Sequence, residues 1–158
     1  MPIVLRPAST ADRGFVRDLS AEAFRAFGDY RELLPRWLSE PGVLAFVALE
    51  DGERRGFVML GFYFGDEARS WCYADLLALA VHPGYRHRGF GKRLLARALE
   101  AAAESRRSLD VREVRLTVAD SNGAALGLFE AAGFRPVEGD HGRYDGGQAA
   151  IRMRRPLH

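Results

Sequence analysis

The 158-residue chain has one cysteine, Cys72, so no disulfide can form within it. At this length roughly 70% of the unfolded surface is buried on folding, and neither a disulfide nor a metal staple is required. Long apolar runs are also missing. None approaches the ~20 residues of a membrane helix, and the opening MPIVLRPAS has no signal-peptide pattern. These absences read as a soluble protein of a reducing, cytoplasmic compartment with no membrane partner. A surplus of either charge is lacking as well. The 23 Lys and Arg nearly cancel the 21 Asp and Glu, and the resulting net charge of +2 argues against a general nucleic-acid binder. His82, His87, His141 and His158 show no metal-ligand spacing, so no metal is expected. Repeats, low-complexity tracts and linkers are absent, and residues 1–158 read as a single domain.

What is present has an ordinary globular balance, 47% hydrophobic and 28% charged, with 17 glycines at turn-like positions. Ile3 to Arg6 reads as an opening strand closed by Pro7. Ser9 or Thr10 then caps a helix whose apolar face is Phe15, Val16, Leu19, Ala23 and Phe27. Arg31 to Glu40 predicts a shorter helix interrupted by Pro35. Val43 to Leu49 and Gly56 to Phe64 are strands joined at Asp51-Gly52, a hairpin signal. Trp71 to Val81 is a third apolar run, with Asp75 its single acid. Phe90, Leu94, Leu95, Ala98, Leu99 and Ala102 repeat at helical spacing, and Val114 to Val118 alternates as a strand. Asp120 or Ser121 caps a last helix with Ala125, Leu128, Phe129 and Ala132 on its apolar face. Tyr144 to Met153 reads as the closing strand. The order β-α-α-β-β-β-α-β-α-β is a mixed α/β domain. Its hairpins are antiparallel, and one parallel pair is bridged by the crossover helix between Leu76 and Val118.

The stretch from Asp75 to Leu95, DLLALAVHPGYRHRGFGKRLL, concentrates the chemistry. A strand ends at His82-Pro83-Gly84, a tight loop carries Arg86, His87, Arg88, Gly89, Phe90 and Gly91, and an amphipathic helix begins. A helix start presents four unpaired backbone N–H groups and a partial positive charge. Glycines clear the approach, while Arg86, Arg88, Lys92 and Arg93 add formal charge, so the loop suits a phosphate or pyrophosphate. Two common phosphate motifs fail here. A P-loop would need glycine at position 86 and a hydroxyl at 93, and both are arginine. A dinucleotide fingerprint begins at Gly89 and Gly91 but meets Leu94 in place of the third glycine. On the glycines alone, a helix cap with a solvated basic turn explains the loop equally well.

Arg86-x-x-Gly89-x-Gly91, after a strand ending LAVHP, resembles the Arg/Gln-x-x-Gly-x-Gly/Ala signature of the GNAT N-acetyltransferases. The likeness extends along nearly the whole chain in order. IVLRPASTAD resembles the family's first strand and helix start. Val114 to Phe134, with Asn122, Ala125 and FEAAGF, resembles its second conserved segment, and AAIRMRRPL its last strand. The resemblance implies a single GNAT domain over 1–158: a mixed, mostly antiparallel sheet flanked by helices, with a central parallel strand pair splayed at the cofactor site. It implies acetyl-CoA as co-substrate, without a metal. Leu79, Ala80 and Val81 would pair with the pantetheine arm. The loop Arg86, His87, Arg88, Gly89, Phe90, Gly91 and Lys92 would seat the pyrophosphate. Asn122 and Phe129 would complete the cofactor site.

The implied reaction is acetyl transfer to a primary amine, of a small molecule or a protein N-terminus, by direct attack with both substrates bound. An amine must be neutral to attack, yet a lysine amine titrates near ~10.4 and an α-amine near ~8. Asp75 matches a position where some members place a glutamate base, and it is the expected base here. Tyr144 matches a region that contacts acceptors. The family's thiolate-protonating tyrosine falls at Phe129, which has no proton to give, so water, Tyr144 or Ser121 would have to serve. The alternative is a catalytically weakened acyl-CoA-binding module of the same fold. The acceptor site is expected from Phe24 to Trp37, Gly65 to Ser70 and Asp140 to Asp145. A homodimer paired through a sheet edge stays open.

Overall fold

The computed structural model describes residues 2–157. The chain opens with β1 (Val4–Pro7), a single 3-10 turn (Thr10–Asp12), α1 (Arg13–Ala23) and α2 (Leu33–Trp37). Three strands come next, β2 (Val43–Glu50), β3 (Glu53–Phe64) and β4 (Cys72–Val81). Then come a second 3-10 turn (Pro83–Tyr85), α3 (Phe90–Glu104) and α4 (Arg106–Leu109). The chain closes with β5 (Val111–Ala119), α5 (Gly123–Ala131), β6 (Arg135–Pro136) and β7 (Ala150–Pro156). One seven-stranded sheet runs in the order β1-β2-β3-β4-β5-β7-β6, antiparallel except for the parallel β4–β5 pair. No helix among the described residues is long and apolar enough to cross a membrane.

Each sheet face carries its own apolar layer. On one face Phe90, Leu94, Leu95 and Ala98 of α3 and Phe129 of α5 pack on Ala74, Leu76, Val114 and Leu116. On the other, Val16 and Leu19 of α1 and Leu34 of α2 pack on Val47, Phe57 and Met59. The helical spacing on α3 thus marks a buried stripe, as its periodicity predicts.

Two irregularities in β4 shape the centre of the sheet. Leu60 pairs with Leu76 and Met59 with Ala78, so Leu77 is an extra, bulged residue. Because strand side chains alternate with period two, one extra residue exchanges the faces beyond it. Leu76 packs in the α3 layer, but so do Leu79 and Val81, while Ala78 and Ala80 turn to the α1 layer. Parallel pairing with β5 then stops at Leu76–Leu116. Beyond it β5 stays with β7 through Ala119–Ala150, whereas β4 stays with β3 through Val81–Gly56. A wedge opens between the two strands.

Several expected boundaries move. The first helix stops at Ala23 rather than reaching Phe27, and the second is confined to Leu33–Trp37. Pro35 falls within the first turn of α2, where a missing N–H costs little. The last helix is capped by neither Asp120 nor Ser121 but by Asn122, whose side-chain oxygen accepts from the Ala125 N–H at 3.3 Å. The closing strand begins at Ala150, not Tyr144. Residues 144–148 form a turn in which the Tyr144 N–H donates to the Gln148 carbonyl, with Gly147 at φ +94. The two-residue β6 and the one-turn α4 were too short to show periodicity.

The first turn is clipped to the sheet by Asp12, which is fully buried. Its carboxylate accepts from Arg6 at 2.8 Å, Arg54 at 2.7 Å and the Ser9 N–H at 2.8 Å. Arg6, foremost, holds this carboxyl well below the usual carboxylate range. Such a lowered group stabilises the fold above its unfolded value near ~3.9 and loses that contribution as pH falls further. Asp12→Asn is therefore expected to cost about 1–3 kcal/mol at pH 7. The gap from wild type should narrow below pH ~4, as read by urea denaturation at both pH values.

Candidate active site

The wedge supplies unpaired backbone. The His82 N–H donates to the Arg55 carbonyl of β3 at 2.7 Å, so strand alternation turns the N–H and C=O groups of Leu79 and Val81 away from β3 and into the gap. Beside this edge lies a cavity of about 640 Å³. Its walls include Leu79, Ala80, Val81, Arg86, His87, Gly89, Phe90, Gly91, Lys92, Asn122 and Phe129, so eleven of the twelve expected cofactor residues meet around one space. Ser121, Ala125 and Leu128 of the α5 segment form the opposite wall.

The end of this cavity is the start of α3. Its first bond runs from the Arg93 N–H to the Gly89 carbonyl at 3.0 Å, leaving the N–H groups of Phe90, Gly91 and Lys92 without helical partners. Gly89 caps the helix at φ +90, a left-handed conformation that glycine adopts without strain, and His87 is also left-handed at φ +63. Alternation of this kind gathers successive N–H groups into an anion-binding nest. Arg86 is mostly exposed, its Nε donating to the Val81 carbonyl at 3.2 Å, which places the cation between the strand edge and the helix start. A pyrophosphate fits this donor set, and the open strand edge suits an amide-bearing arm.

Arg88 is the exception among the loop residues. It does not line the cavity; its guanidinium is held by both oxygens of Glu50 at 2.8 and 3.0 Å. Glu50 ends β2 and is only 7% exposed. Arg88 also approaches the rings of Tyr85 and Phe90, and Arg55 lies 3.8 Å from the Tyr85 ring centre. One of the four loop cations therefore fastens the loop to the sheet. Glu50 and the Arg55–Tyr85 contact had no signal in the sequence, because their partners are separated in the chain and joined only by the sheet.

A second cavity, of about 280 Å³, adjoins the first, and Phe24, Phe27 and Asn122 line both. Its walls bring Asp75 and Tyr144 together with Tyr30, Trp37 and Thr117. The expected acceptor segments from Phe24 to Trp37 and around Tyr144 thus converge, while the Gly65 to Ser70 loop contributes no wall residue. Asp75 sits in β4 between Gly61 and Arg115 on the neighbouring strands. Burial pushes its carboxyl up to about 6, against the opposing pull of Arg152 and Arg115. Burial also pushes the Tyr144 phenol up to about 12.

A clasp bounds this second cavity. The Gln148 side-chain amide donates to the Ala26 carbonyl at 2.8 Å, the Gly146 N–H approaches the Phe27 carbonyl at 3.4 Å, and the Phe27 and Tyr144 rings are 5.5 Å apart. A Cβ at Gly146 would overlap the Ala26 carbonyl oxygen, so only glycine permits the contact. Phe129, expected near the sulfur, is buried against Phe134 in an edge-to-face pair at 5.9 Å.

A central splay, an anion nest at one end and a second cavity at the other define a two-substrate group-transfer fold. Comparison with known proteins assigns the family. Residues 13–134 match the family described as Acetyltransferase (GNAT) family. An N-alpha-acetyltransferase of Saccharolobus solfataricus is 30% identical, over 76% of this chain and 73% of that protein. The Arabidopsis thaliana NAA60 structure with a bisubstrate analogue superposes with a TM-score of 0.82 at 19% identity, covering 99% of each chain. The same Arabidopsis protein with acetyl-CoA gives 0.81 at 20%, again over 99% of each. A ribosomal-protein-alanine N-acetyltransferase from Brucella melitensis gives 0.78 at 22%, over 98% of this chain and 99% of that one. These last likenesses are of fold. The chain belongs to the GNAT acetyltransferase family and is an acetyl-CoA-dependent N-acetyltransferase.

The loop fastening can be measured directly. Glu50→Gln removes the charge that holds Arg88, and should weaken CoA binding about tenfold, as expected for one charge-assisted bond. Calorimetric titration with CoA is the check, and an unchanged affinity would leave Glu50 a purely structural residue. Gly146→Ala should open the clasp and raise KM for the amine more than KM for acetyl-CoA, as read by initial rates with each substrate varied in turn.

Proposed function

We propose that this enzyme moves the acetyl group of acetyl-CoA onto a primary amine, of a small molecule or a polypeptide N-terminus, by direct attack with both substrates bound together. The observation that carries this reading is the junction of the two cavities. The open backbone of Leu79 and Val81 faces one cavity, Asp75 faces the other, and Asn122 lines both. In this reading Arg86, Lys92 and the N–H groups opening α3 hold the pyrophosphate, and the edge of β4 holds the pantetheine amides. The names of the relatives agree with such a substrate pair, including one solved with a bisubstrate analogue.

Asp75 accepts a proton from the incoming ammonium, directly or through one water. The freed nitrogen lone pair attacks the thioester carbonyl carbon, and the Leu79 N–H donates to the oxygen on which negative charge develops. Collapse of the tetrahedral adduct breaks the C–S bond, and the thiolate departs with the bonding pair. The new amide sheds its remaining proton to solvent. Phe129 offers no proton at the sulfur, and Ser121 and Tyr85 are the hydroxyl-bearing residues in the wall of that cavity.

A carboxyl raised to about 6 is ionised, and able to accept a proton, only above that pH. The ratio kcat/KM for the amine is thus expected to rise with pH through a limb near 6. Asp75→Asn should remove that limb and lower kcat by about 10²–10⁴. The effect on stability has the opposite sign. A raised carboxyl favours the folded state below its unfolded value near ~3.9, and that contribution is lost as pH rises through about 6. Asp75→Asn should therefore be at least as stable as wild type at pH 8 while being far less active. A variant that kept both its activity and the limb would remove Asp75 from the mechanism. Arg86→Ala should raise KM for acetyl-CoA about 10- to 100-fold with a smaller change in kcat, measured by thiol release under varied acetyl-CoA.

A further inference from the structure

We propose that the acceptor is a monoamine whose nitrogen is joined to an uncharged apolar group, and that the cavity around Asp75 selects it. This deepens the proposed reading of that cavity as the acceptor site, and rests on it.

The walls set the selectivity. Phe24, Phe27, Tyr30, Trp37 and Tyr144 present aromatic surface, and Asp75 is the one charged residue in the lining. Aromatic faces attract an ammonium and then bury an apolar substituent once the nitrogen is neutral. Asp75 is engaged by the nitrogen that reacts, so a second ammonium would find no other carboxylate within the walls. Asp145, the next acid on this side, is exposed beside Gly28 and Tyr30 and does not line the cavity.

A carboxylate on the acceptor fares no better. It would meet Asp75 and no cation in the lining. Arg115 is committed to Glu113 at 2.7 Å and lies 3.9 Å from the Tyr73 ring centre. Arg152, cross-strand from Thr117, is exposed, lies outside the walls, and already acts on Asp75. Size narrows the choice further. At about 280 Å³ the space lies just under the ~300–1,000 Å³ of sites for drug-sized ligands. One ring or a short alkyl chain fills it. The same chemistry occurs in free aryl- or alkylamines and at a polypeptide N-terminus with an apolar first side chain.

The experiment uses the full chain, with thiol release from acetyl-CoA as readout, and has two arms. In the first, 2-phenylethylamine is compared with 1,4-diaminobutane and with phenylalanine. In the second, tetrapeptides identical except for the first residue begin with Met, Phe, Ser, Asp or Lys. The expected result is a kcat/KM at least tenfold higher for the apolar acceptors in one or both arms, and the responding arm identifies the source. Thr117→Asp in an Arg152→Gln background, compared with Arg152→Gln alone, places a second carboxylate on the wall from an exposed strand position with no cross-strand cation to pair it. It should raise 1,4-diaminobutane relative to 2-phenylethylamine about tenfold, and an unchanged ratio would contradict selection by the walls. Charged acceptors that equal or exceed the apolar ones in both arms overturn the proposal. So does a chain that binds CoA by calorimetry yet acetylates nothing in either arm, with the cofactor reading left intact. Failure to bind CoA would instead overturn the reading beneath.

Discussion

The structure depends on an interruption of backbone pairing at the centre of a sheet. Interior strands normally satisfy every N–H and C=O on both sides, because an unpaired buried group is costly. Here β4 and β5 part after Leu76–Leu116, and each is held by a different neighbour, β3 on one side and β7 on the other. Beyond the split each strand keeps that one ladder and leaves its other edge open. The N–H and C=O groups of Leu79 and Val81 thus stay available at the wall of a cavity rather than in solvent, and the Val81 carbonyl accepts from Arg86. The bulge at Leu77 belongs to the same arrangement. It lets Asp75 and Leu79 face opposite sides of the sheet although four residues separate them in one strand. A regular strand would point both to the same face.

Much of this was legible in the chain, and the rest was hidden for physical reasons. Longer elements carry a signal: α3 follows its helical period and β5 alternates from Val114 to Val118, while β3 and β4 were legible as apolar runs. The anion loop was readable because its parts are contiguous: a strand end, glycines, cations and a helix start within about a dozen residues. Boundaries failed where one local interaction chose among neighbours. Asn122, not the adjacent Asp120 or Ser121, reaches the Ala125 N–H, and the turn at 144–148 delays the last strand. The Leu77 bulge could not be read, since it exists only in the register with β3. Glu50 was invisible for a similar reason. An acid at a strand end is usually solvated, and only folding brings Arg88, 38 residues away, onto it. Composition likewise counted Arg88 as a free cation facing the anion, when its side chain is spent on holding the loop.

In the proposed reading, the cofactor end and the acceptor end of the site are built on different principles. The first is made from backbone and long cations, which recognise phosphate and amide groups irrespective of the acyl chain they carry. The second is made from side chains of the segment 24–30, α2, β4, β5 and the 144–148 turn, which belong to separate stretches of the chain. The wall at the junction therefore has to come from residues that serve both, and Phe24, Phe27 and Asn122 do so. Asn122 shows how little is needed. Its side-chain oxygen caps α5, which fixes the residue against β5 and leaves its remaining surface facing both spaces.

Burial moves Asp75 and Tyr144 in the same direction, and the consequences for proton transfer are opposite. A carboxyl at about 6 can alternate between its forms near neutrality, which suits a group that receives a proton and returns it to solvent. A phenol at about 12 stays protonated across the same range. It is also a weaker acid than a thiol, whose ordinary value is near ~8.5. Position argues the same way, since Tyr144 lines the cavity of Asp75 and Phe129 that of the strand edge. Under the proposed function, Tyr144 is then better placed to orient the amine than to protonate sulfur. A thiolate needs little help to leave, since it is stable in water within a few units of neutrality. In the proposed reading, Phe129 at the sulfur end removes an acid from a step that can proceed without one.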